Sequence, residues 1–164
     1  MGNNLQTIET PLLIVGCGPS ALVIAKVVSG RGLPCLVVGH EAQDGGPPVT
    51  LDSESLEILE PHGVLSVLRP YAAAENPFTI TPLAFENGLK HHCVADMLIT
   101  VYDDMRFKEA TGSEGGIRGE LTDGSSTWDI HADAFADVSD FSVDLNTAVH
   151  QAAAFGNQLM ANIT

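Results

Sequence analysis

The chain has 164 residues, and its 21 Asp and Glu outnumber its 7 Lys and Arg, which gives a formal net charge of −14 at pH 7. Because a chain of this charge is not attracted to nucleic acid or to an anionic membrane surface, we exclude both as partners. The length is that of one domain with a sizeable core, so we expect a single domain over residues 1–164.

The cysteines and the apolar runs bear on the cellular compartment. Cys17, Cys35 and Cys93 lie far apart and are odd in number, so we expect free thiols, with Cys17 and Cys35 in the core. No apolar run reaches the length of a membrane span, and residues Met1–Thr10 show no signal-peptide pattern. The sequence therefore predicts a reduced, cytoplasmic protein.

The first unit of the chain is a strand, a glycine turn and a helix. Leu12–Val15 predicts a short buried parallel strand, and glycines follow it. The helix predicted over Ser20–Ser29 points its free N–H groups and positive dipole end at this turn. Such a turn can bind the pyrophosphate of a dinucleotide, with alanine in place of the third glycine of the G-x-G-x-x-G pattern; the alternative is a turn retained without a ligand. The residues expected to bind the cofactor are Gly16, Gly18, Pro19, Ser20 and Ala21.

A second buried strand, Cys35–Val38, completes a βαβ unit, and an acidic residue is expected at its end to bind a ribose hydroxyl. Gly39 stands at that position, and the carboxylate of Glu41 is displaced by two residues. Glu41 contacts the ribose if the chain curls back and is otherwise a solvated loop charge. The neighbouring His40 can meet the 2′-phosphate of NADP, although no arginine supports this reading.

The middle of the chain is predicted to be mainly helical. A helix begins near Asp52 or Ser53, either of which can be its N-cap, and Pro61-His62-Gly63 interrupts it. The further predictions are a short helical turn over Val64–Leu68, a loop over Ala72–Pro82, a helix over Leu83–His92 and a strand over Met97–Tyr102.

The C-terminal part changes character. Turn-forming sequences separate three short strands of an antiparallel meander, predicted over Arg106–Glu109, Gly116–Leu121 and Thr127–His131. Another short strand, Ala134–Val138, precedes a long amphipathic helix over Asp144–Ile163, with Asp144 as its N-cap.

Three groups of residues suggest other chemistry but do not support it. In His91-His92-Cys93, adjacent helical side chains point in different directions and no second ligand pair has metal-site spacing, so we predict no metal site. The acidic groups Asp103-Asp104 and Asp137, Ser139 and Asp140 lie at turns, where Asp forms local hydrogen bonds. Ser20, His131 and His150 form no recognisable catalytic triad.

Four stretches, in order, resemble the FAD domain of the flavin-dependent aromatic hydroxylases. The glycine turn is similar to the V-x-I-V-G-A-G-P-S/A-G-L motif that opens the family's sequences. The stretch that begins at Thr50 resembles the family's L-x-x-R-S-L-E-I-L-R-R-L-G-L motif. The end of the meander resembles the strand that leads to A-D-G, and the last helix resembles G-L/M-N-T-G-I-Q-D-A. The stretches are Leu13–Leu22 (LIVGCGPSAL), Thr50–Val64 (TLDSESLEILEPHGV), Leu121–Gly124 with Asp133–Asp137 (LTDG, DAFAD) and Leu145–Ala153 (LNTAVHQAA).

The resemblance implies an α/β fold: a three-layer FAD/NAD(P)-binding (Rossmann-like) domain with a small parallel sheet, helices on one face and an antiparallel three-strand meander on the other. It implies FAD as cofactor and adds Asn146 as a candidate flavin contact; the alternative for Asn146 is a helix start without a ligand. The family's pyrophosphate-region arginines, its G-D-A-A-H motif and the substrate-binding sheet between Asp140 and Leu145 are absent.

These departures leave three functions open. The first is a flavoprotein resembling the cofactor module of the monooxygenases, an oxidoreductase-like protein that needs a partner chain or self-association to enclose the flavin. The second is a non-catalytic dinucleotide-fold module that serves in binding or assembly, and the third is an NAD(P)-binding protein. A homodimer contact is expected at Ala134–Val138 and on the last helix, and no residue qualifies as a substrate acid, base or clamp.

Overall fold

The central strand of the main sheet is β1 (Thr7–Val15), which pairs in parallel with β2 (Cys35–Val38) on one side and with β9 (Thr127–Asp137) on the other. A computed structural model describes residues 7–16, 18–39, 46–102, 104–109, 116–138 and 144–163 of the chain. β6 (Ile99–Tyr102) extends the parallel part beyond β2. The βαβ unit expected from the sequence is therefore confirmed.

The meander continues the same sheet. β7 (Arg106–Glu109) and β8 (Ile117–Thr122) pair antiparallel, and β8 pairs antiparallel with β9, so the strand order is β6-β2-β1-β9-β8-β7. The two strands predicted on either side of Ala132 and Asp133 are one strand, β9. The predicted break between two strands at these residues was wrong, because the strand pattern of alternating buried and exposed side chains continues through them: Ala132 is buried and Asp133 is exposed.

Two hydrophobic clusters cover the two faces of the sheet. On β1, Leu12 and Ile14 point toward the helices, while Leu13 belongs to the opposite cluster. That opposite cluster joins Leu13 to Leu121 and Ile130 of the meander, so side chains of the meander help to cover the face that the helices leave free. Helices, parallel strands and meander thus form the three layers expected from the sequence.

The first helix, α1 (Pro19–Ser29), is buried along its whole length. It contacts β2, α4 (Pro82–Val94) and α5 (Leu145–Ile163). A glycine allows the close approach of α5, because a Cβ built at Gly156 lies only 2.9 Å from Val27 Cγ1. Within the described residues, no helix is both long and apolar enough to span a bilayer.

The segment predicted as a loop over Ala72–Pro82 contains two strands, which corrects that prediction. β4 (Ala74–Glu75) and β5 (Phe78–Ile80) pair with each other, and β5 also pairs with β3 (Val49–Thr50) to form a separate three-stranded antiparallel sheet. The buried side chains of Phe78 and Ile80 anchor this sheet to the helical cluster, a long-range contact that local turn signals do not show.

The remaining elements follow the predictions with shifted ends. α2 (Ser53–Leu59) continues into a 3₁₀ turn over Glu60–His62, and α3 (Val64–Leu68) continues into a second one over Arg69–Tyr71. The strand predicted from Met97 begins at Ile99, because the backbone turns at Asp96, whose side chain accepts a hydrogen bond from the Leu98 N–H (2.9 Å).

Candidate functional site

The glycine turn joins the carboxyl end of β1 to the first residue of α1. Gly16 has φ +138° and Gly18 has φ +102°, a region of backbone conformation that favours glycine. Gly18 is the N-cap of α1, and Pro19 occupies the first helical position, where its missing N–H leaves no donor unsatisfied. Cys17 lies outside the described residues.

The amino end of α1 offers backbone donors without a side-chain acceptor. Gly18 has no side chain to cap the helix, and the first turn holds no acidic residue. The side chains that follow are buried, with Ser20 6% exposed and Ala21 fully buried. A phosphate group fits this end because it would supply the missing acceptors and the negative charge that the helix dipole favours.

The topology places this helix end where ligands bind in open α/β sheets. The next strand in the chain after β1, which is β2, lies on one side of β1 in the sheet. The strand on the other side of β1 is β9, which comes much later in the chain. Strand order therefore reverses between β1 and β9. The crevice outside the carboxyl ends of the strands at such a reversal is the usual binding site of a dinucleotide fold.

Gly16 also has a purely structural reason to be glycine. A Cβ at this position would overlap Val138 Cγ2, just beyond the end of β9. Backbone hydrogen bonds hold the two residues in place, from Gly16 N–H to Val38 O (2.9 Å) and from Val138 N–H to Val15 O (3.0 Å). The close contact of two strand ends thus requires glycine here with or without a ligand.

The residues expected to contact the ribose are not among those that the structure describes. His40 and Glu41 lie outside the described residues, as do Asp103, Ser139 and Asp140 among the acidic groups considered above. Gly39 is described, and its N–H donates to Tyr102 O (3.1 Å), so the end of β2 is tied to β6.

Asn146, in the first turn of α5, uses its side chain to hold the start of α2. Its Oδ1 accepts from the Asp52 N–H (3.0 Å) and from the Ser55 hydroxyl (2.9 Å), and its Nδ2 donates to Thr50 O (2.9 Å). The cap of α5 comes from Asp144, as predicted. The Asp144 carboxylate accepts from the N–H (3.0 Å) and the hydroxyl (2.7 Å) of Thr147.

His150 extends this contact between α5 and α2. Its Nε2 lies 3.0 Å from Asp52 Oδ1, and its Nδ1 lies 3.6 Å from Glu54 Oε2. Asp52 caps α2, accepting from the Ser55 N–H (2.8 Å), and this bond together with His150 lowers the pKa of its carboxyl. Sequence reasoning missed the cluster, although Asn146 and His150 are four residues apart on one helical face.

Lys26 forms a second polar cluster that sequence reasoning missed. Its Nζ lies 3.0 Å from Asp96 Oδ2, which also accepts from the Ser29 hydroxyl (2.9 Å), so the α4–β6 turn is tied to α1. Burial raises the pKa of Asp96, but hydrogen bonds from Leu98, Lys26 and Ser29 outweigh it, and the pKa lies below its usual value. The helical run around Lys26 predicts a buried face but not its ion partner.

The residues considered for metal binding are dispersed. His91 is exposed, whereas Cys93 is buried, with its Sγ 3.7 Å from Leu22 O. Burial raises the pKa of the Cys35 and Cys93 thiols to about 12, and both are free, as expected for Cys35 from its apolar context. Across the part of the chain that the structure describes, no three His, Cys, Asp or Glu side chains are grouped to hold a metal ion.

Comparison with known proteins identifies the fold. No protein-family model matches the chain, and no curated protein sequence matches it. Solved structures do match it, among them the flavin-dependent monooxygenase PieE, described in complex with FAD and substrate (TM-score 0.66, 18% identity, 78% of this chain, 30% of that one). A second is p-nitrophenol 4-monooxygenase PnpA from Pseudomonas putida DLL-E4 (TM-score 0.64, 15% identity, 80% of this chain, 40% of that one). A third is OxyS anhydrotetracycline hydroxylase from Streptomyces rimosus (TM-score 0.66, 12% identity, 79% of this chain, 31% of that one).

The likeness is confined to one part of those enzymes. The chain spans between 30% and 40% of the length of these three structures. At these identities the comparison shows a shared α/β fold, which the chain has in common with the FAD-binding domains of flavin monooxygenases.

Proposed function

We propose that this chain is a dinucleotide-binding domain over residues 1–164 and that its ligand is FAD. The observation that carries the proposal is the amino end of α1, which has no side-chain cap and no acidic first turn and lies where the strand order reverses. The fold shared with flavin monooxygenases supports FAD over other dinucleotides.

The glycine turn would hold the pyrophosphate through the backbone N–H groups of Gly18, Ser20 and Ala21, since Gly18 has no side chain that could cap the helix. Glu41 is the proposed ribose contact, and the backbone at Asn146 is the proposed contact with the flavin. The Asn146 side chain, engaged with α2, would hold that backbone in place.

FAD, when bound, supplies electron transfer and oxygen chemistry that side chains do not. The contribution of this chain would be to bind and orient the cofactor. Because the chain spans so little of the monooxygenases that it matches, we propose that a partner chain or a second copy encloses the flavin and supplies the substrate site. The cytoplasmic location remains a prediction.

A second candidate function is a module that keeps the fold without a cofactor and serves in binding or assembly. The overlap of a Cβ at Gly16 with Val138 favours it, because packing alone explains this glycine. The engagement of the Asn146 side chain with Thr50, Asp52 and Ser55 favours it as well. NAD(P) is the remaining alternative and depends on His40.

Titration of the purified full chain with FAD, NAD⁺ and NADP⁺ separates the three functions. Quenching of flavin fluorescence measures the binding of FAD. For all three ligands, binding to the native state is also measured as a rise in the unfolding temperature. Stoichiometric binding of FAD supports the proposal, and binding of NAD(P) alone supports the alternative ligand. A chain that binds none of them and gains no stability is the non-binding module.

A charge placed at the helix end tests the site itself. Ser20→Asp puts a carboxylate in the first turn of α1, where the helix dipole favours it but a bound pyrophosphate would be repelled. We expect at least about tenfold weaker FAD binding in Ser20→Asp than in the matched neutral variant Ser20→Asn. Unfolding without ligand checks that both variants fold; equal FAD affinities in two folded variants would exclude this pyrophosphate site.

A further inference from the structure

A groove at the carboxyl end of α1 carries features that the proposed cofactor site does not use. We call it the α1 C-terminal groove; it has a volume of about 430 Å³ and lies between the end of α1, α2 with its 3₁₀ turn, and α5. α1 has 11 residues, so this end lies about 16 Å from the glycine turn at 1.5 Å per residue. The groove is therefore separate from the dinucleotide site and does not depend on it.

The floor of the groove is aliphatic. Val27 of α1 and Ala153 of α5 are nearly fully buried beneath it, and Ile58 of α2 forms part of its wall. Apart from the imidazole of His62, no aromatic ring lines the groove among the described residues. The floor therefore suits a short aliphatic chain, and the volume lies in the range of small-molecule sites, roughly 300–1,000 Å³.

Arg31 supplies the positive charge of the groove and is held in position. The Arg31 Nη2 donates a hydrogen bond to Asn157 Oδ1 (2.7 Å). This bond uses one of the five N–H donors of the guanidinium. Among the described residues, no carboxylate lies within ion-pair distance of Arg31. The remaining N–H donors of the Arg31 guanidinium match the geometry of a carboxylate.

His62 and Glu57 narrow the choice of anion. The His62 ring packs against the backbone at the end of α1, since a Cβ built at Gly30 lies 3.2 Å from its Nδ1. Burial and the charge of Lys26 lower the pKa of His62, so at pH 7 the ring is neutral and adds a hydrogen bond rather than a charge. Glu57 also lines the groove, and its carboxylate repels anions, so a ligand whose one negative charge is paired with Arg31 is favoured over a ligand with two.

We propose that the α1 C-terminal groove binds a small aliphatic monocarboxylic acid, with the carboxylate on Arg31 and the alkyl chain on Val27, Ile58 and Ala153. Asn157 holds the guanidinium in place through the hydrogen bond that its Oδ1 accepts from Arg31. Glu57 selects a single negative charge.

The test is a titration of the isotope-labelled full chain with hexanoate at pH 7, followed by amide chemical shifts. We expect saturable shifts confined to residues 27–33, 56–63 and 152–158, with a Kd of about 1 mM or tighter. Hexanol, which lacks the charge, and succinate, which carries two charges, are each expected to bind at least about tenfold more weakly. No saturable shift with hexanoate, or shifts centred elsewhere, would overturn the proposal.

Two variants assign the interaction to Arg31. Arg31→Gln removes the charge at an exposed position and is expected to weaken hexanoate binding by about tenfold or more. Arg69→Gln removes the same charge from the exposed 3₁₀ turn after α3, outside the groove, and is expected to leave the Kd unchanged. Equal affinities in the two variants, both with native amide spectra, would contradict the assignment.

Discussion

Val138 lies against Gly16 so closely that a Cβ at position 16 would overlap Val138 Cγ2. This contact joins the turn after β1 to the residue that follows β9, strands that are far apart in sequence and adjacent in the sheet. The glycine turn is therefore part of the packing of the sheet as well as a candidate phosphate site.

Substitution of Gly16 should destabilise the protein in the absence of any ligand. Gly16→Ala adds the overlap with Val138 to a backbone conformation that L residues rarely adopt, and we expect a loss of about 2–4 kcal/mol in the free energy of unfolding. Gly32→Ala is the matched control, because Gly32 also has positive φ (+87°) but no atom lies within 4 Å of its Cβ position. Urea unfolding measures both, and Gly16→Ala combined with Val138→Ala should recover part of the loss.

Asn146→Ala should loosen the start of α2. The change removes three hydrogen bonds to Thr50, Asp52 and Ser55, and we expect a loss of about 1–2 kcal/mol in the free energy of unfolding. Amide hydrogen exchange should be faster at Asp52 in particular, whose N–H loses its acceptor. Asn87→Ala, at an exposed position of α4, is the control; an Asn146 variant as stable as this control would show that the contact contributes nothing.

The Lys26–Asp96 pair should contribute to stability as a unit. Asp96→Asn leaves the Lys26 ammonium nearly buried without its counter-charge, and we expect a loss of about 1–3 kcal/mol. The pair is not fully buried, with side-chain exposures of 10% and 21%, so the cost is kept below that of a fully buried pair. A double-mutant cycle with Lys26→Met gives the coupling free energy; a coupling near zero would refute the interaction.

Acidification should destabilise the protein in two separate pH windows. The pKa values of His62 and His92 lie below 6.5, first because burial disfavours the charged ring and then because Lys26 is nearby. The unfolded chain therefore binds more protons than the native state as the pH falls below about 7, and stability falls with it. The pKa of Asp96 is lowered from 3.8, so a second loss is expected below that value.

Unfolding free energies at pH 7.5 and pH 5.5 test the first window. The double variant His62→Gln, His92→Gln should show a smaller drop between these pH values than the parent chain. An equal drop in the two proteins would assign the pH dependence to other groups.

Local sequence was sufficient for the elements whose signals are contiguous. The apolar run at Leu12–Val15, the glycine turn and the apolar α1 predicted the βαβ unit, because strand, turn and helix each depend on neighbours in the chain. Asp144 was predicted as a cap for the same reason, and Asp52 as one of two candidates beside Ser53, since an N-cap bonds to an N–H three residues away. The resemblance of four stretches to a flavoprotein domain added the three-layer arrangement.

Only the tertiary structure decided the contacts between distant segments. Nothing local shows that Asn146 binds the N–H of Asp52 94 residues earlier, or that Lys26 meets Asp96 70 residues later. The pairing of β5 with β3 and the continuity of β9 likewise depend on partners that a window of neighbouring residues does not contain.

The glycine turn shows the division most clearly. The sequence by itself determined that the chain turns at Gly16 and Gly18 and starts a helix with free N–H groups, because glycine conformation and helix ends are local properties. The tertiary structure decided that Val138 presses on Gly16 and that the helix end lies at the reversal of strand order, because both follow from which strands pair. The sheet packing and the proposed phosphate site therefore use the same turn, the packing through the missing Cβ and the proposed site through the backbone donors.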